Sequence, residues 1–518
     1  MDDNRVQGIT RAEAIKRGLY TLGALGLGGP LLAACGGDDE GGGAAAKTIA
    51  APKTVDGKLD FGGVEIRALG DEFLGPIWEW YTDDLEKEAN IQIAKPVKFA
   101  FGTESQAVTP KLIGNTDAPW NVISYAAWFL GDFVATGNLE PLDPYLKGFE
   151  GYSDYNAGVT PVFRELYCKS KGQTYALMAD GDTHGFHYRV SYMENPTLQR
   201  SYRRQYNRDL GPPRTWDEYI ELAAFLTKEL KGDGVYGTQW ATEPAVSWSW
   251  WLDTAGSLGV RYFDESMKPT INSDAGVKGL EIMLRLSESS PPGVENFSNN
   301  DTISNWQEGK VATQAWWQDL TEFAGKDSAD TRLPGSMGSD GKIKITSAMA
   351  FSRLLSVPKN QPDEAKQAAV WAAYRISHPD YSLYSVADPY NGLEPYHTAH
   401  WTPEAVEQYT KPNPKRGTAK DYPENKGIFT SVERAQNHVD AIRTSTETGY
   451  PQPNWPGAGE YLRVLGTEIQ AAASGQKTAK GALDDAADEW AAIVEKRGKE
   501  QQQQFYSAFL ASAKRLGL

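Results

Sequence analysis

Strands alternating with amphipathic helices from residue 64 onward predict an α/β fold, with a mostly parallel sheet covered on both faces. Two further observations frame that expectation. A chain of 518 residues is long enough to bury two or three separate cores. The stretch before residue 60 reads as leader and tether, so the folded part starts near Phe61.

The leader is read first. "NRVQGITRAEAIKRG" carries Arg5, Arg11, Lys16 and Arg17 and runs into the apolar "LYTLGALGLGGPLLAA". That is the build of a signal peptide, expected over residues 1–34. The apolar run is glycine-rich and broken by Pro30, which suits cleavage better than a permanent span of about 20 apolar residues. Leu32, Ala33, Ala34 and Cys35 resemble the bacterial lipobox, whose cysteine takes a diacylglyceryl group and becomes the first residue of the mature chain. The paired arginines of twin-arginine export are missing, which favours Sec export. "GGDDEGGGAAAK" after Cys35 can bury nothing, so residues 35–60 are expected to be a lipidated cysteine and flexible linker.

Composition narrows the partners. Fifty-two basic residues against 68 acidic ones give a net charge of −16, which disfavours nucleic acid and anionic membrane surfaces. The only membrane attachment expected is the lipid. With Cys35 lipidated, Cys168 has no partner for a disulfide and reads as a structural thiol. Sixteen tryptophans and 25 tyrosines are the compositional exception.

Along the folded part, "VEIRAL" reads as a strand and "FLGPIWEWYTDDLEKEAN" as an amphipathic helix. "VKFAFG" and "NVISYA" follow as second and third strands. "PPRTWDEYIELAAFLTKELKG" predicts a helix with Thr215 as N-cap and Glu218 closing a capping box. "PDEAKQAAVWAAYRIS" is helical, and the chain ends in one long helix from Lys477 to Leu516 whose glutamine run reads as a solvated face.

The order of these segments resembles the family 1 extracellular solute-binding proteins of ABC importers, the group of maltose-binding proteins and sugar-binding lipoproteins. "WNVISYAAWFLGDFVATGNLEPLDPYL" is similar to the family's strand, ligand-facing turn and "G-x-L-x-P-L-D" close. "KGQTYALMADGDTHGFHYRVSYMENP" resembles the first crossing between lobes, and "PPRTWDEY" the helix start after it. "NWQEGKVATQAWWQDL" resembles the crossing back, and "AAASGQKTAKGALDDAADEW" the terminal helix. The match covers roughly residues 62 to 495, in a chain longer than the compact members and with methionine in "YALMADGD" where proline is common. It implies a type II-like periplasmic-binding-protein fold, two lobes with a hinge and an interlobe cleft. Residues 62–178 with 313–376 are expected to form the first lobe, and 179–312 with 377–518 the second.

A sugar site needs flat rings for C–H faces and carboxylates or amides for hydroxyls. Trp128 follows the third strand, where the family has a cleft residue, with core packing as the alternative. Asp71 and Glu72 follow the first strand, at the cleft mouth or as caps of the next helix. Asp180 and Asp182 lie at the expected hinge. Glu243 and Trp248 match a stretch of the maltose-binding type, although of Trp248, Trp250 and Trp251 at least one must be core. Trp316 and Trp317 end the returning strand, one expected to stack on ligand and the other to pack, with Trp316 favoured for stacking. Tyr390, Asn391 and Glu394 lie in a turn-rich loop of the kind sugar-binding relatives use.

Two histidine pairs, His184 with His187 and His397 with His400, invite a metal reading, but no third ligand or zinc spacing accompanies them. No phosphate loop and no "G-x-S-x-G" elbow is present, so no metal, cofactor or catalytic residue is expected. The leading expectation is a monomeric, lipid-anchored protein outside the cytoplasmic membrane. It would capture a mono- or oligosaccharide and present it to an ABC importer permease. A secreted glycoside hydrolase or lyase is the rival class; its mark would be paired carboxylates about 5 to 10 Å apart, Asp180 and Asp182 first. A polyamine-type binder, with tryptophans boxing a cationic chain, is the third.

Overall fold

The computed structural model describes residues 49, 52–71, 74–99, 107–113, 120–323, 327–389, 391–416 and 426–518. Cys35, Glu72 and Tyr390 lie outside the described residues, as does the whole leader. Eight strands carry the two main sheets: β1 (Ala68–Asp71), β2 (Val97–Phe99), β3 (Val122–Ala126), β4 (Leu177–Met178), β5 (His184–Arg189), β6 (Thr313–Trp317), β7 (Ser328–Thr331) and β8 (Arg353–Ser356).

The first sheet has the order β4-β8-β3-β1-β2. β1 runs parallel to β2 and β3, while β8 is antiparallel to both β3 and β4. β3, β6 and β8 are buried along their whole length, so neither face shows the polar alternation of a half-exposed strand, and the polar Thr313, Gln314, Arg353 and Ser356 are buried with their apolar neighbours. The second sheet, β6-β5-β7, is antiparallel throughout. The expected mostly parallel sheet is therefore corrected: the alternation of strands and helices holds, but the strands that return across the hinge enter antiparallel.

Seven helices matter below: α1 (Gly75–Ala89), α2 (Trp216–Glu229), α3 (Ser247–Ser257), α4 (Asn299–Gln307), α5 (Asp363–Ser377), α6 (Ala479–Arg497) and α7 (Lys499–Arg515). Thr215 caps α2 as read, its Oγ1 accepting from the Glu218 N–H at 3.2 Å. Glu218 reaches one residue further back than a capping box requires, accepting from the Arg214 N–H at 2.7 Å.

Packing divides the chain into two cores. One joins β1, β3, β4, β8, α1 and α5 through Leu69, Trp78, Ile123, Leu354 and Trp371. The other joins β5, β6, α2, α3 and α6 through Phe186, Leu226, Trp251, Trp317 and Trp490. Residues 311 to 348 contribute to the second core and residues 354 to 439 to the first. The lobe boundaries expected from the sequence, 313–376 in the first lobe and 377–518 in the second, are corrected accordingly. The strand read as crossing back, β6, pairs with β5 and stays with the second core, and the chain passes to the first core near residues 349–354.

Four smaller corrections have local causes. "VEIRAL" is two strands, since Val64–Ile66 pairs with Ile91–Ile93 whereas β1 joins the main sheet. Order begins before Phe61: Lys53–Val55 and Lys58–Asp60 form a hairpin inside the expected linker, turning at Asp56 and Gly57 with positive φ. The single terminal helix is two, because Gly498 at φ +88° breaks it where a residue with Cβ would be strained. The glutamine run is not wholly solvated, since Gln502 is buried, accepting from Tyr461 Oη at 3.0 Å and donating to Pro456 O at 2.9 Å.

Candidate functional site

Asp71 ends β1, Arg353 opens β8, and Asp180 and Asp182 follow β4 into the segment that crosses between the cores. Arg353 Nε donates to Asp71 Oδ2 at 2.6 Å, and its Nη1 bonds Asp180 Oδ2 and lies 3.6 Å from Asp182 Oδ2. Asp182 also accepts from the Ser352 N–H at 2.9 Å, and Asp180 from the Glu394 N–H at 2.7 Å. Asp71 has a second task, accepting from the Leu74 N–H at 2.9 Å in the turn before α1, whose N-cap residue is Leu74 itself.

Burial and the adjacent Asp180 charge push Asp182 well above the usual carboxylate range, with Arg353 opposing. Burial also raises Asp180, against Arg353 and the Glu394 N–H. Burial works against the Arg353 charge, yet the three aspartates hold its pKa well above the ordinary value. With three carboxylates facing one guanidinium, the charge on Asp180 disfavours ionisation of Asp182 beside it.

Glu394 braces the same junction. One of its oxygens accepts from the Thr183 N–H at 2.9 Å, the other from the N–H groups of Gln318 at 2.7 Å and Asp319 at 3.2 Å. It thereby ties the outgoing crossing to the end of β6. Asn391 is buried and donates to Ser385 O at 3.0 Å, a loop-internal bond. The loop that holds these two residues lies beside the crossing segment, and the polar atoms named here face protein partners.

The aromatic residues form the other half of the junction. Trp128, half-buried at the end of β3, meets Phe351 edge to face at 4.6 Å between ring centroids and Trp248 at 5.9 Å. Trp248 sits at the start of α3, so rings from both lobes converge here. Trp317 extends the group, 5.1 Å from Phe351 and 5.1 Å from Trp316.

The expectation that Trp316 stacks on ligand while its neighbour packs is corrected: Trp316 is 4% exposed and Trp317 5%. Both indole N–H groups are used within the second lobe, Trp316 on Thr302 Oγ1 and Trp317 on Ala350 O, each at 3.1 Å. Strand alternation does turn the two rings apart, their planes at 83°, but β6 is covered on both faces, so both rings meet protein. Trp248, Trp250 and Trp251 are all core as well, each donating its N–H to a backbone carbonyl. Glu243 sits at the entrance of α4, accepting from the Asn299 N–H at 2.6 Å, and burial raises its pKa.

The histidines are engaged singly. His184 Nδ1 lies 2.7 Å from Asp253 Oδ2, and His187 Nδ1 lies 3.0 Å from Thr321 Oγ1. His397 Nε2 meets Tyr155 O at 3.0 Å and His400 Nε2 meets Ser382 Oγ at 2.9 Å. Among the described residues no group of three His, Cys, Asp or Glu is arranged to hold a metal ion, and none of their helices is long and apolar enough to cross a membrane.

Sequence reading missed Arg353 and Phe351. A lone arginine in "AFSRLLS" gave no spacing signal, and Phe351 reaches the site through a left-handed backbone, φ +79°, followed by Ser352 at φ +46°.

Residues 75–372 match the family described as bacterial extracellular solute-binding protein. Among curated proteins, the probable amino-acid ABC transporter periplasmic-binding protein y4oP of Sinorhizobium fredii is 29% identical over 107 residues. That stretch is 20% of this chain and 24% of that protein, so the chain spans about a quarter of its relative's length. Solved structures match far more widely. Maltose-bound MalE3 of T. maritima has 18% identity and a TM-score of 0.64, with 83% of this chain and 100% of that one covered. The GacH receptor of Streptomyces glaucescens, solved unliganded and with acarbose, has 17% identity and a TM-score of 0.61, covering 84% and 99%. Lmo0181 of Listeria monocytogenes, in complex with cycloalternan, has 16% identity and a TM-score of 0.63, covering 84% and 99%. Likeness at these identities is a likeness of fold.

Proposed function

The chain belongs to the bacterial extracellular solute-binding proteins, and from that membership we propose that it captures a carbohydrate outside the membrane and hands it to an ABC importer. The observation that carries the carbohydrate reading is the aromatic group at the lobe junction, where half-buried Trp128 stands over Phe351 and Trp248. A sugar face stacks on such a ring, and rings contributed by both lobes let closure enclose the ligand. The maltose, acarbose and cycloalternan held by the solved relatives support the same solute class. The reading is of binding without turnover. The bonds that Asp180 and Asp182 make to Arg353, Ser352 and Glu394 favour a bracing role over general acid–base work. Delivery to permease subunits, a monomeric state and a lipid anchor at Cys35 on an exported chain belong to the same proposal.

Isothermal titration and melting against a panel of neutral mono- and oligosaccharides test it, with amino acids and polyamines in the same panel. A sugar that raises the melting temperature and is recovered intact supports the reading; ligand excess of about a hundredfold over Kd stabilises by about 2.7 kcal/mol. Release of product, or binding confined to the amino acids or polyamines, overturns it.

A further inference from the structure

Beside the aromatic group, the two cores are also joined by charge. The short helix Leu130–Ala135 follows Trp128 and Phe129 directly and is seated in the first core by Leu130 and Phe133. The helix Ala458–Ala473 and α6 belong to the second core, through Tyr461 and Leu462 and through Ile493 and Val494. Asp132 reaches from the one to the other. Its Oδ1 accepts from the Gly457 N–H at 2.9 Å and from Arg497 Nη1 at 3.0 Å. Arg497 Nε donates in turn to Glu460 Oε2 at 3.1 Å, and Lys496 Nζ to Glu460 Oε1 at 3.1 Å.

The local sequence prepares each partner. Glu460 lies in the first turn of its helix and Arg497 is the last residue of α6, the ends at which the helix dipole favours a carboxylate and a cation. Glycine allows the approach. A Cβ on Gly131 would stand 2.3 Å from the Trp455 carbonyl carbon, and one on Gly457 would stand 2.7 Å from Arg497 Nε, so a side chain at either position would force the partners apart. The same approach seats Trp128, whose Cδ1 lies 3.6 Å from where a Cβ on Gly459 would stand, one residue before Glu460. The Asp132 and Arg497 side chains are 31% and 28% exposed, so water and salt reach the pair. An ion pair of that kind contributes modestly and is screened by salt, which suits a contact that opens and closes.

We propose that Asp132 and Arg497 form an interlobe latch. Paired, they hold the lobes together and keep Trp128 against the second lobe; parted, they let the junction open to a solute. Both are positioning residues, acting on a ligand only through the arrangement of the lobes. The proposal rests on the lobes of a solute-binding protein moving about their crossings and not on the identity of the solute. Its measurements are made without ligand, so its failure and that of the carbohydrate reading are told apart.

Hydrogen exchange and small-angle X-ray scattering of the ligand-free chain test it. Parting of the latch frees the Gly457 N–H, so its exchange reports opening even where the open state is scarce. Arg497→Gln and Asp132→Asn are each expected to speed Gly457 exchange about threefold and to raise the radius of gyration. The double variant is expected to go no further than either single one, because both remove the same pair. Raising salt from about 0.05 M to about 0.5 M is expected to speed Gly457 exchange in the parent and not in Arg497→Gln. Lys480→Gln, which breaks an ion pair with Asp484 inside α6, is the control and is expected to change neither reading. Gly457 exchange unchanged in the two single variants overturns the latch. So does faster exchange with no gain in radius, which would mark a local contact only, an equal effect of Lys480→Gln, or a salt response that survives Arg497→Gln.

Discussion

Arg353 Nε donates to Asp71 Oδ2 at 2.6 Å, reaching from β8 past β3 to the end of β1. The same guanidinium holds Asp180 in the crossing segment, so one side chain ties the first sheet to the hinge. A buried cation serving several carboxylates is costly to remove because the partners stay behind. Arg353→Met is therefore expected to destabilise the fold by about 3 to 5 kcal/mol, and Arg353→Lys by less. Chemical denaturation of both variants checks this; a methionine variant as stable as the parent refutes it.

The raised pKa of Asp182 fixes the sign of a pH dependence. Its folded-state value lies above the unfolded value of about 3.9, so the folded protein retains a proton that the unfolded chain releases. Its stabilising contribution is complete below the unfolded value and is lost as pH rises towards the folded one. Asp182→Asn keeps an acceptor for the Ser352 N–H and a donor towards Asp180 without titrating. Melting curves of parent and variant from about pH 4 upward are expected to diverge, the parent losing stability relative to the variant as pH rises. Parallel curves would count against the buried proton.

How far all this was legible in the sequence follows from what each signal depends on. Strand β3 and the cap of α2 are local: an apolar run and a Thr-x-x-Glu pattern fix them, and both stand where they were read. The lobe boundaries are not local, because β6 reads identically whichever sheet it joins; only its pairing with β5 decides the lobe. Site residues were legible as positions but not as partners. Asp180 and Asp182 were found as hinge carboxylates and Glu394 as a loop residue, yet Arg353, which the two aspartates bond or approach, lies more than 170 positions along the chain from Asp180. Trp316 was misread because alternation describes which face a ring takes, whereas coverage of that face is set by helices elsewhere in the chain.

Cys35 lies outside the described residues, and the lipobox reading is checked by cell fractionation. Cys35→Ser is expected to release the exported chain from the membrane fraction, since no helix of the described residues is long and apolar enough to anchor it. A serine variant that remains with membranes after a high-salt wash refutes the anchor.

The tryptophans divide by what their rings already touch. Trp316 and Trp317 donate to protein acceptors and are almost fully covered, so truncating either to alanine opens a cavity in the second core, at about 3 to 5 kcal/mol of stability. Trp128 is half-buried, held edge to face by Phe351 and Trp248, and is the candidate ring with a face left for a ligand. Trp128→Ala is expected to cost the cognate sugar about 2 to 4 kcal/mol of binding, a fall in affinity of at least about thirtyfold. Its stability cost is expected to be smaller than that of the two core rings, because less of its surface is buried on folding. Paired titration and melting of the three variants separate the roles. Unchanged sugar affinity in Trp128→Ala removes the aromatic wall from the site, and with it the residue-level basis of the carbohydrate reading.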